Sequence, residues 1–126
     1  MKTYTVEVYP NGDRFWYNEK DQLHREDGPA FEWTNGYKAW FINGKLHRED
    51  GPAVEYVDGH KVWYINGELH REDGPAVEYA NGDKAWWING NELTEEEFNN
   101  RNKVELTLDE IASKFGIQVD KLKIKK

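Results

Sequence analysis

Cysteine is absent from the chain, and serine occurs once, at Ser113. The lack of cysteine excludes a disulfide framework, a thiolate metal site and a cysteine nucleophile. Ser113 has no recognisable partner base, and no glycine-rich phosphate loop follows a predicted strand. The sequence therefore predicts a protein that is not an enzyme and that holds no cofactor.

Long apolar runs are also absent. The longest ones, such as residues 39–42, are far shorter than the ~20 residues of a membrane-spanning helix. The polar, alternating residues after Lys2 do not resemble a secretory signal. We therefore expect a protein of the cytoplasm that makes no contact with a membrane.

Basic residues are scarce over most of the chain. Residues 1–100 carry 10 Lys and Arg against 20 Asp and Glu, whereas residues 101–126 carry 7 against 4, so the net charge of -7 divides into -10 and +3. An acidic body disfavours nucleic acid, because affinity for phosphates comes mostly from Lys and Arg. The basic tail is the part suited to such contacts.

Repetition and aromatic residues are what the chain has in excess. The octapeptide Leu-His-Arg-Glu-Asp-Gly-Pro-Ala occurs unchanged at residues 23–30, 46–53 and 69–76, with a period of 23. Around it recur an Asn-Gly or Asp-Gly pair and an aromatic pair, in four copies of which the first and last are degraded. Asn-Gly between alternating hydrophobic residues is a strong hairpin signal. We predict a mainly β fold, with a meander of four ~23-residue hairpin copies over residues 1–92.

The pairing within each hairpin predicts which residues share a face. A two-residue turn at Asn81 and Gly82 would place Tyr79 opposite Lys84, and Val77 opposite Trp86. One face would then form the core. Its members would be Phe31, Trp33, Trp40, Ile42, Val54, Tyr56, Trp63, Ile65, Val77, Tyr79, Trp86 and Ile88.

A second aromatic ladder is predicted on the opposite face. Its members, one residue after each of the four tryptophans at equivalent positions, are Tyr17, Phe41, Tyr64 and Trp87. Two interpretations are open. Either the octapeptide leucines or the C-terminal module cover this ladder as a small core, or part of it stays exposed and binds a partner. The leucines are Leu23, Leu46 and Leu69.

The charged residues of the octapeptide form a second candidate surface. They are His24, Arg25, Glu26, His47, Arg48, Glu49, His70, Arg71 and Glu72. They are either a ladder that a partner reads at a fixed spacing or structural groups, with each Asp starting a turn and each Arg pairing with carboxylates. Recent duplication would also explain their identity. Imidazole and carboxylate suit zinc or manganese, but stacked hairpins place equivalent residues in parallel rows, so we predict no metal site.

Residues 93–126 predict a small C-terminal α/β module. A capping box at Thr94 starts a short helix that ends near Arg101. Beyond it, residues 103–107 and 121–125 alternate as strands around a second capped helix. Residues 108–117 resemble the first half of a helix-turn-helix, and also the first helix of a lysin-motif module. We interpret this β-α-β module as one that caps the array or docks on a partner.

The pattern Gly-x-Lys-x-Trp-x-x-Asn-Gly leads through His to Gly and back to an aromatic strand, most clearly at residues 59–74 and 82–90. It resembles the membrane occupation and recognition nexus (MORN) repeat in its bacterial and phage form, over residues ~5–92. The resemblance implies a scaffold of hairpins that binds proteins or lipids and carries no catalytic residue. The octapeptide proline departs from the plainer glycine pattern, and this departure and the acidic body both disfavour lipid. The tail, Leu-Thr-Leu-Asp-Glu-Ile-Ala at residues 106–112, resembles those of small tailed-phage proteins.

These observations favour a non-enzymatic protein-binding module. Its expected role is that of a phage protein that binds and inhibits a bacterial host defence protein in the host cytoplasm. One alternative is sequestration of a small nucleotide signal by stacked aromatics and by Arg25, Arg48 and Arg71. Another is nucleic-acid contact through the basic tail. A homodimer through an edge strand is a further expected partnership.

Overall fold

The structure, a computed structural model, describes residues 3–102. Nine strands form one antiparallel sheet in the order β1-β2-β3-β4-β7-β8-β11-β12-β13, and β5-β6 and β9-β10 form two small hairpins. The mainly β, meandering fold predicted from the repeats is thereby confirmed. The elements are β1 (Thr5–Val8), β2 (Arg14–Tyr17), β3 (Phe31–Glu32), β4 (Lys38–Ala39), β5 (Phe41–Ile42), β6 (Lys45–Leu46), β7 (Val54–Glu55), β8 (Lys61–Val62), β9 (Tyr64–Ile65), β10 (Glu68–Leu69), β11 (Val77–Glu78), β12 (Lys84–Ile88), β13 (Asn91–Leu93) and α1 (Glu95–Asn100).

Each central copy bends at a tryptophan. In the second copy, β4 belongs to the nine-stranded sheet, whereas β5 pairs with β6 in a small hairpin. Trp40 stands between them, with its N–H donating to the carbonyl of Ala53 and its carbonyl accepting from the N–H of His47. One polypeptide segment therefore takes part in two sheets, and the octapeptide forms the connection to the next copy.

The Asn-Gly and Asp-Gly pairs adopt two different turns. At Asn66-Gly67 both residues have positive φ, 51° and 81°, as a two-residue type I′ turn requires. At Asn81-Gly82 only the glycine does, at 95°. There the Tyr79 N–H donates to the Asp83 carbonyl and the Gly82 N–H to the Tyr79 carbonyl, which makes a three-residue loop. The Asn81 side chain accepts from the Asp83 N–H at 2.9 Å and stabilises this conformation.

The three-residue loop makes the predicted register wrong by one residue. Val77 pairs with Ala85, and Glu78 with Lys84, whereas the two-residue turn had placed Val77 opposite Trp86. A slip of one residue exchanges the two faces of a strand. Trp86 therefore lies on the face opposite Val77, and the equivalent residues Trp40 and Trp63 do so in their copies.

The buried core differs from the predicted core for the same reason. Its central cluster consists of Ala39, Val54, Val62 and Val77, each at most 7% exposed. These four form one row across the sheet, because each stands opposite the next. Three aromatic residues assigned to the core from the sequence are instead exposed. They are Trp33, Tyr56 and Tyr79.

The other face of the sheet carries a row of alternating charges. Successive cross-strand partners have opposite sign at every step, as cross-strand pairing favours. In order they are Arg14, Glu32, Lys38, Glu55, Lys61, Glu78 and Lys84. The meander is thus held by an apolar row on one face and a charge row on the other.

The short helix predicted after Leu93 is confirmed. α1 begins with a capping box in which the Thr94 side chain accepts from the Glu97 N–H and the Glu97 side chain accepts from the Thr94 N–H. Phe98 is buried, and Arg101 donates to the carbonyl of Glu72, which ties the helix to the third octapeptide. No helix within residues 3–102 has the length and apolar character to cross a membrane. The strands and helix expected in residues 103–126 lie outside the described residues.

Candidate functional site

The octapeptide arginines are packed against tryptophans. The Cζ atom of Arg48 lies 3.8 Å from the centre of a Trp40 ring, at cation–π distance. Its Nε donates to Asp50 at 3.0 Å and its Nη1 to the carbonyl of Pro52 at 3.1 Å. Glu55 of the next strand is 3.4 Å from the same Nη1. Arg25 and Arg71 make the equivalent contacts.

This packing explains two further octapeptide residues. A Cβ added at Gly51 would lie 3.0 Å from the Arg48 Cζ, so a side chain there would displace the guanidinium. Each octapeptide Asp accepts a hydrogen bond from the arginine two residues before it. The pKa of Asp27 is held below its ordinary value by a hydrogen bond from Arg25 and by the charge of that residue, and Asp73 is affected in the same way by Arg71.

The octapeptide histidines join neighbouring copies. The Nδ1 atom of His47 accepts a hydrogen bond from the backbone N–H of Asn66, at 3.0 Å. His24 and His70 accept from the Asn43 and Asn89 N–H groups, each at 2.9 Å. The Nε2 side faces a glutamate at 3.5 to 3.7 Å. Each histidine therefore fixes the type I′ turn of the following copy.

The outward groups of the octapeptides are carboxylates. The side chains of Glu26, Glu49 and Glu72 are 66%, 85% and 78% exposed. A groove lies between the first two octapeptides, with Trp40 and Ile42 among its lining residues. The predicted charged ladder thus exists as parallel rows in which His and Arg support the fold and Glu faces solvent. Within residues 3–102, no three metal-ligating side chains converge.

The second aromatic ladder is half-buried. Phe41, Tyr64 and Trp87 pack against the apolar core row, and Tyr17 is also half-buried. Burial raises the pKa of Tyr64. The leucines stand opposite, in the cross-strand pairs Phe41–Leu46, Tyr64–Leu69 and Tyr17–Leu23. The interpretation in which leucines cover the ladder describes this arrangement, and a role for the ladder in partner binding stays a prediction.

A different set of aromatic residues has three exposed rings joined by two half-buried ones, Tyr37 and His60, and sequence reasoning missed it. These rings lie next to the three-residue loops and contact one another across the copies. We call this set the turn-proximal row: Trp33, Tyr37, Tyr56, His60 and Tyr79. Successive ring centres are 4.7 to 5.2 Å apart. Trp33, Tyr56 and Tyr79 are 42%, 41% and 44% exposed.

The signal for this row is in the sequence. Each exposed ring precedes its Asn-Gly or Asp-Gly pair by two residues, at Trp33, Tyr56 and Tyr79. With a three-residue loop, that position directly follows the strand and its N–H closes the loop, at the outer end of the hairpin, where fewer neighbours cover a side chain. The row extends toward the first copy through Phe31, Phe15 and the exposed Tyr9.

The arrangement offers two parallel surfaces that repeat with the copies. One is aromatic and lies along the three-residue loops, and the other is acidic and lies along the octapeptides. Neither a protein-family model, nor a curated protein, nor a solved structure matches the chain.

Proposed function

We propose that the chain is a non-enzymatic protein-binding module and that the turn-proximal row is its contact surface. The supporting observation is that this row runs unbroken through ring contacts from Trp33 to Tyr79 while three of its rings stay more than 40% exposed. Contiguous exposed aromatic side chains are typical of binding sites, and Trp and Tyr contribute most to binding energy there. Of the half-buried ladder of Tyr17, Phe41, Tyr64 and Trp87, the last three pack against the same apolar core row as Tyr37 does.

Nucleotide sequestration has less support from the geometry. A phosphate site would need free guanidinium groups, but Arg25, Arg48 and Arg71 already stack on tryptophans and donate to Asp side chains and Pro carbonyls. Nucleic-acid contact would rest on the basic residues after position 100. The acidic body repels phosphates.

The identity of the partner rests on the resemblance to phage-type MORN repeats. On that basis we propose a bacterial host protein as partner, bound in the host cytoplasm, with inhibition of a defence protein as the outcome. The outward glutamates at Glu26, Glu49 and Glu72 are the alternative contact surface, to be tested against the turn-proximal row.

The test uses two triple variants of the full chain. The first is Trp33→Ser, Tyr56→Ser, Tyr79→Ser, which removes the exposed rings. The matched control is Glu26→Gln, Glu49→Gln, Glu72→Gln, which changes the octapeptide surface. Circular dichroism verifies that both fold. Tagged proteins are then used for affinity purification from bacterial lysate with mass spectrometry.

We expect proteins retained by the unchanged chain to be lost with the ring variant and kept with the glutamine variant. The reverse result would transfer the contact surface to the octapeptides. If both variants retain the proteins as well as the unchanged chain does, neither row is the contact surface.

A further inference from the structure

The strand β1 lies at the edge of the nine-stranded sheet formed by residues 3–102. Among the described residues, β2 alone pairs with it. Val6 stands opposite Trp16, and the Trp16 N–H and carbonyl bond to Ala30 and His24, away from β1. In antiparallel pairing, the residue opposite such a position also turns its N–H and carbonyl outward. Val6 and, by alternation, Val8 therefore point their backbone N–H and carbonyl groups away from β2, at the edge of the sheet, where no other strand of residues 3–102 meets them.

The outward residues of this strand are also apolar and exposed. Val6 is 46% exposed and Val8 is 62% exposed, whereas Val54 and Val62 in the interior of the sheet are 3% and 7% exposed. Proteins usually protect an open edge with charged residues, proline or a covering element. The two β1 residues whose backbone groups point outward, Val6 and Val8, have apolar side chains on one face of the sheet. The charged side chain of Glu7 lies on the other face.

The residue pattern of β1 departs from the repeat. Glu7 stands opposite Phe15 in the apolar row, and Val8 stands opposite Arg14 in the charge row. In β7 the positions equivalent to Glu7 and Val8 are Val54 and Glu55. The acidic and the apolar residue have therefore exchanged places in β1. A further copy docked on β1 in the repeat register would place an apolar residue against Glu7 and a lysine against Val8. Head-to-tail extension of the array is therefore disfavoured.

The other end of the sheet is protected. Lys84 is a charged residue of β12, and α1 packs against β12 and β13. A charge and a covering helix are devices that block edge pairing. The two ends of the sheet thus differ, and β1 is left as the end suited to a partner strand.

A two-fold pairing of β1 with itself satisfies every feature of this edge. With the axis at Val6, each Val6 faces its equivalent, Tyr4 faces Val8, and Thr5 faces Glu7. Tyr4, Val6 and Val8 then form one apolar row on one face, and each Glu7 meets a hydroxyl group in place of a second carboxylate. Pairs of this kind provide about six backbone hydrogen bonds. We propose that a second copy of this chain binds at β1 in this antiparallel register.

The inferred contact is small, because it consists of one short strand from each copy. Interfaces well below the usual area are weak and transient. The dimer is therefore concentration-dependent and joins two nine-stranded sheets into one. It leaves the turn-proximal row free, so its test is independent of the proposed function.

The register is tested by single cysteines, since the chain has none of its own. In full-length Val6→Cys, two equivalent Cα atoms would be about 5.5 Å apart, within disulfide reach. In the control Val8→Cys, the equivalent atoms would be about 14 Å apart. Under oxidation we expect a disulfide dimer from the first variant and monomer from the second. Equal cross-linking of both, or of neither, would overturn the proposed register.

The association itself is measured by sedimentation between about 10 µM and about 1 mM, the range of weak binding. The unchanged chain should shift toward twice its mass of 14.9 kDa. Val6→Pro removes the outward N–H without breaking a bond to β2, and Val6→Lys sets like charges together at the axis. Both should stay monomeric, and Val6→Ile should dimerise. A monomeric unchanged chain at every concentration would refute the proposal.

Discussion

At the scale of single residues, packing explains why the arginine, the glycine and the histidine are the same in all three octapeptides. Arg48 touches an indole ring, a carboxylate, a backbone carbonyl and a glutamate of the next strand. Gly51 leaves room for that guanidinium, and His47 holds the next turn. The outward glutamate is the octapeptide residue least engaged by the fold. Packing therefore does not explain why this glutamate is the same in all three octapeptides. Recognition by a partner or recent duplication of the repeat would explain it.

The arginine contacts predict a cost for a conservative change. Arg48→Lys keeps the charge but loses the planar stacking on Trp40 and the fork that reaches Asp50 and Pro52. We expect the free energy of unfolding to fall by about 1 to 3 kcal/mol. Urea denaturation measures it. Lys20→Arg, an exchange in an exposed loop, is the control and should leave the midpoint unchanged. An equal midpoint for Arg48→Lys would show that charge alone matters.

The octapeptide carboxylates predict the sign of the pH dependence. The pKa values of Asp27 and Asp73 are lowered in the folded chain by the hydrogen bond and charge of Arg25 and Arg71. A lowered folded pKa means that the unfolded chain binds protons first as the pH falls. Their contribution is complete above the ordinary carboxyl pKa near 4 and disappears as the pH falls through the folded values.

The variant Asp27→Asn, Asp73→Asn should therefore lose less stability than the unchanged chain between about pH 6 and about pH 3. The measurement is the urea midpoint at several pH values. A matched control, Glu19→Gln with Asp21→Asn, removes two exposed carboxyls that form no ion pair within residues 3–102. Parallel pH curves for all three proteins would refute the assignment to Asp27 and Asp73.

At the scale of elements, the existence of hairpins could be predicted but their register could not. Asn66-Gly67 and Asn81-Gly82 look alike in sequence, yet one has two residues of positive φ and the other has one. The difference depends on neighbours, because His47 accepts from the Asn66 N–H, whereas the Asn81 side chain bonds within its own loop. A local dipeptide does not contain that information. One residue of register then decided which aromatics are exposed.

The helix α1 was predicted correctly because its signal is local. Its capping box lies within Thr94–Glu97, and the pKa of Glu97 is lowered by the hydrogen bond that its carboxylate accepts from the Thr94 N–H. A pattern complete within four residues needs no tertiary context.

The same capping box predicts the effect of a substitution at Thr94. Thr94→Ala should destabilise the helix by about 1 kcal/mol, the usual value for a lost N-cap. Amide hydrogen exchange at Phe98, whose N–H donates to the Thr94 carbonyl, should quicken several-fold. Thr94→Ser keeps the hydroxyl and should restore slow exchange. If Ser and Ala behave alike, the hydroxyl does not stabilise α1.

At the scale of the whole molecule, the sheet is one layer in which each copy contacts its neighbours. Such arrays tolerate the loss of a complete unit. Deleting residues 47–69 joins Leu46 to His70 and sets Val77 opposite Ala39, in place of Val54. We expect a folded protein with an unchanged β-type circular dichroism spectrum and a lower urea midpoint.

Deleting residues 47–57 serves as the contrast. It removes about half a copy, so the apolar and charge rows no longer meet across the junction, and this variant should unfold. A folded half-copy deletion would show that the pairing of neighbours does not determine the fold.

The identical octapeptides also matter at the level of the gene. Because the octapeptides repeat at a constant interval of 23 residues, an insertion or deletion of 23 residues between equivalent positions adds or removes one whole unit in frame. A protein changed in this way keeps the contacts of its octapeptide arginines, glycines and histidines, because each 23-residue unit carries all the residues that make them. The number of exposed rings in the turn-proximal row can thus change by one whole unit in a single step.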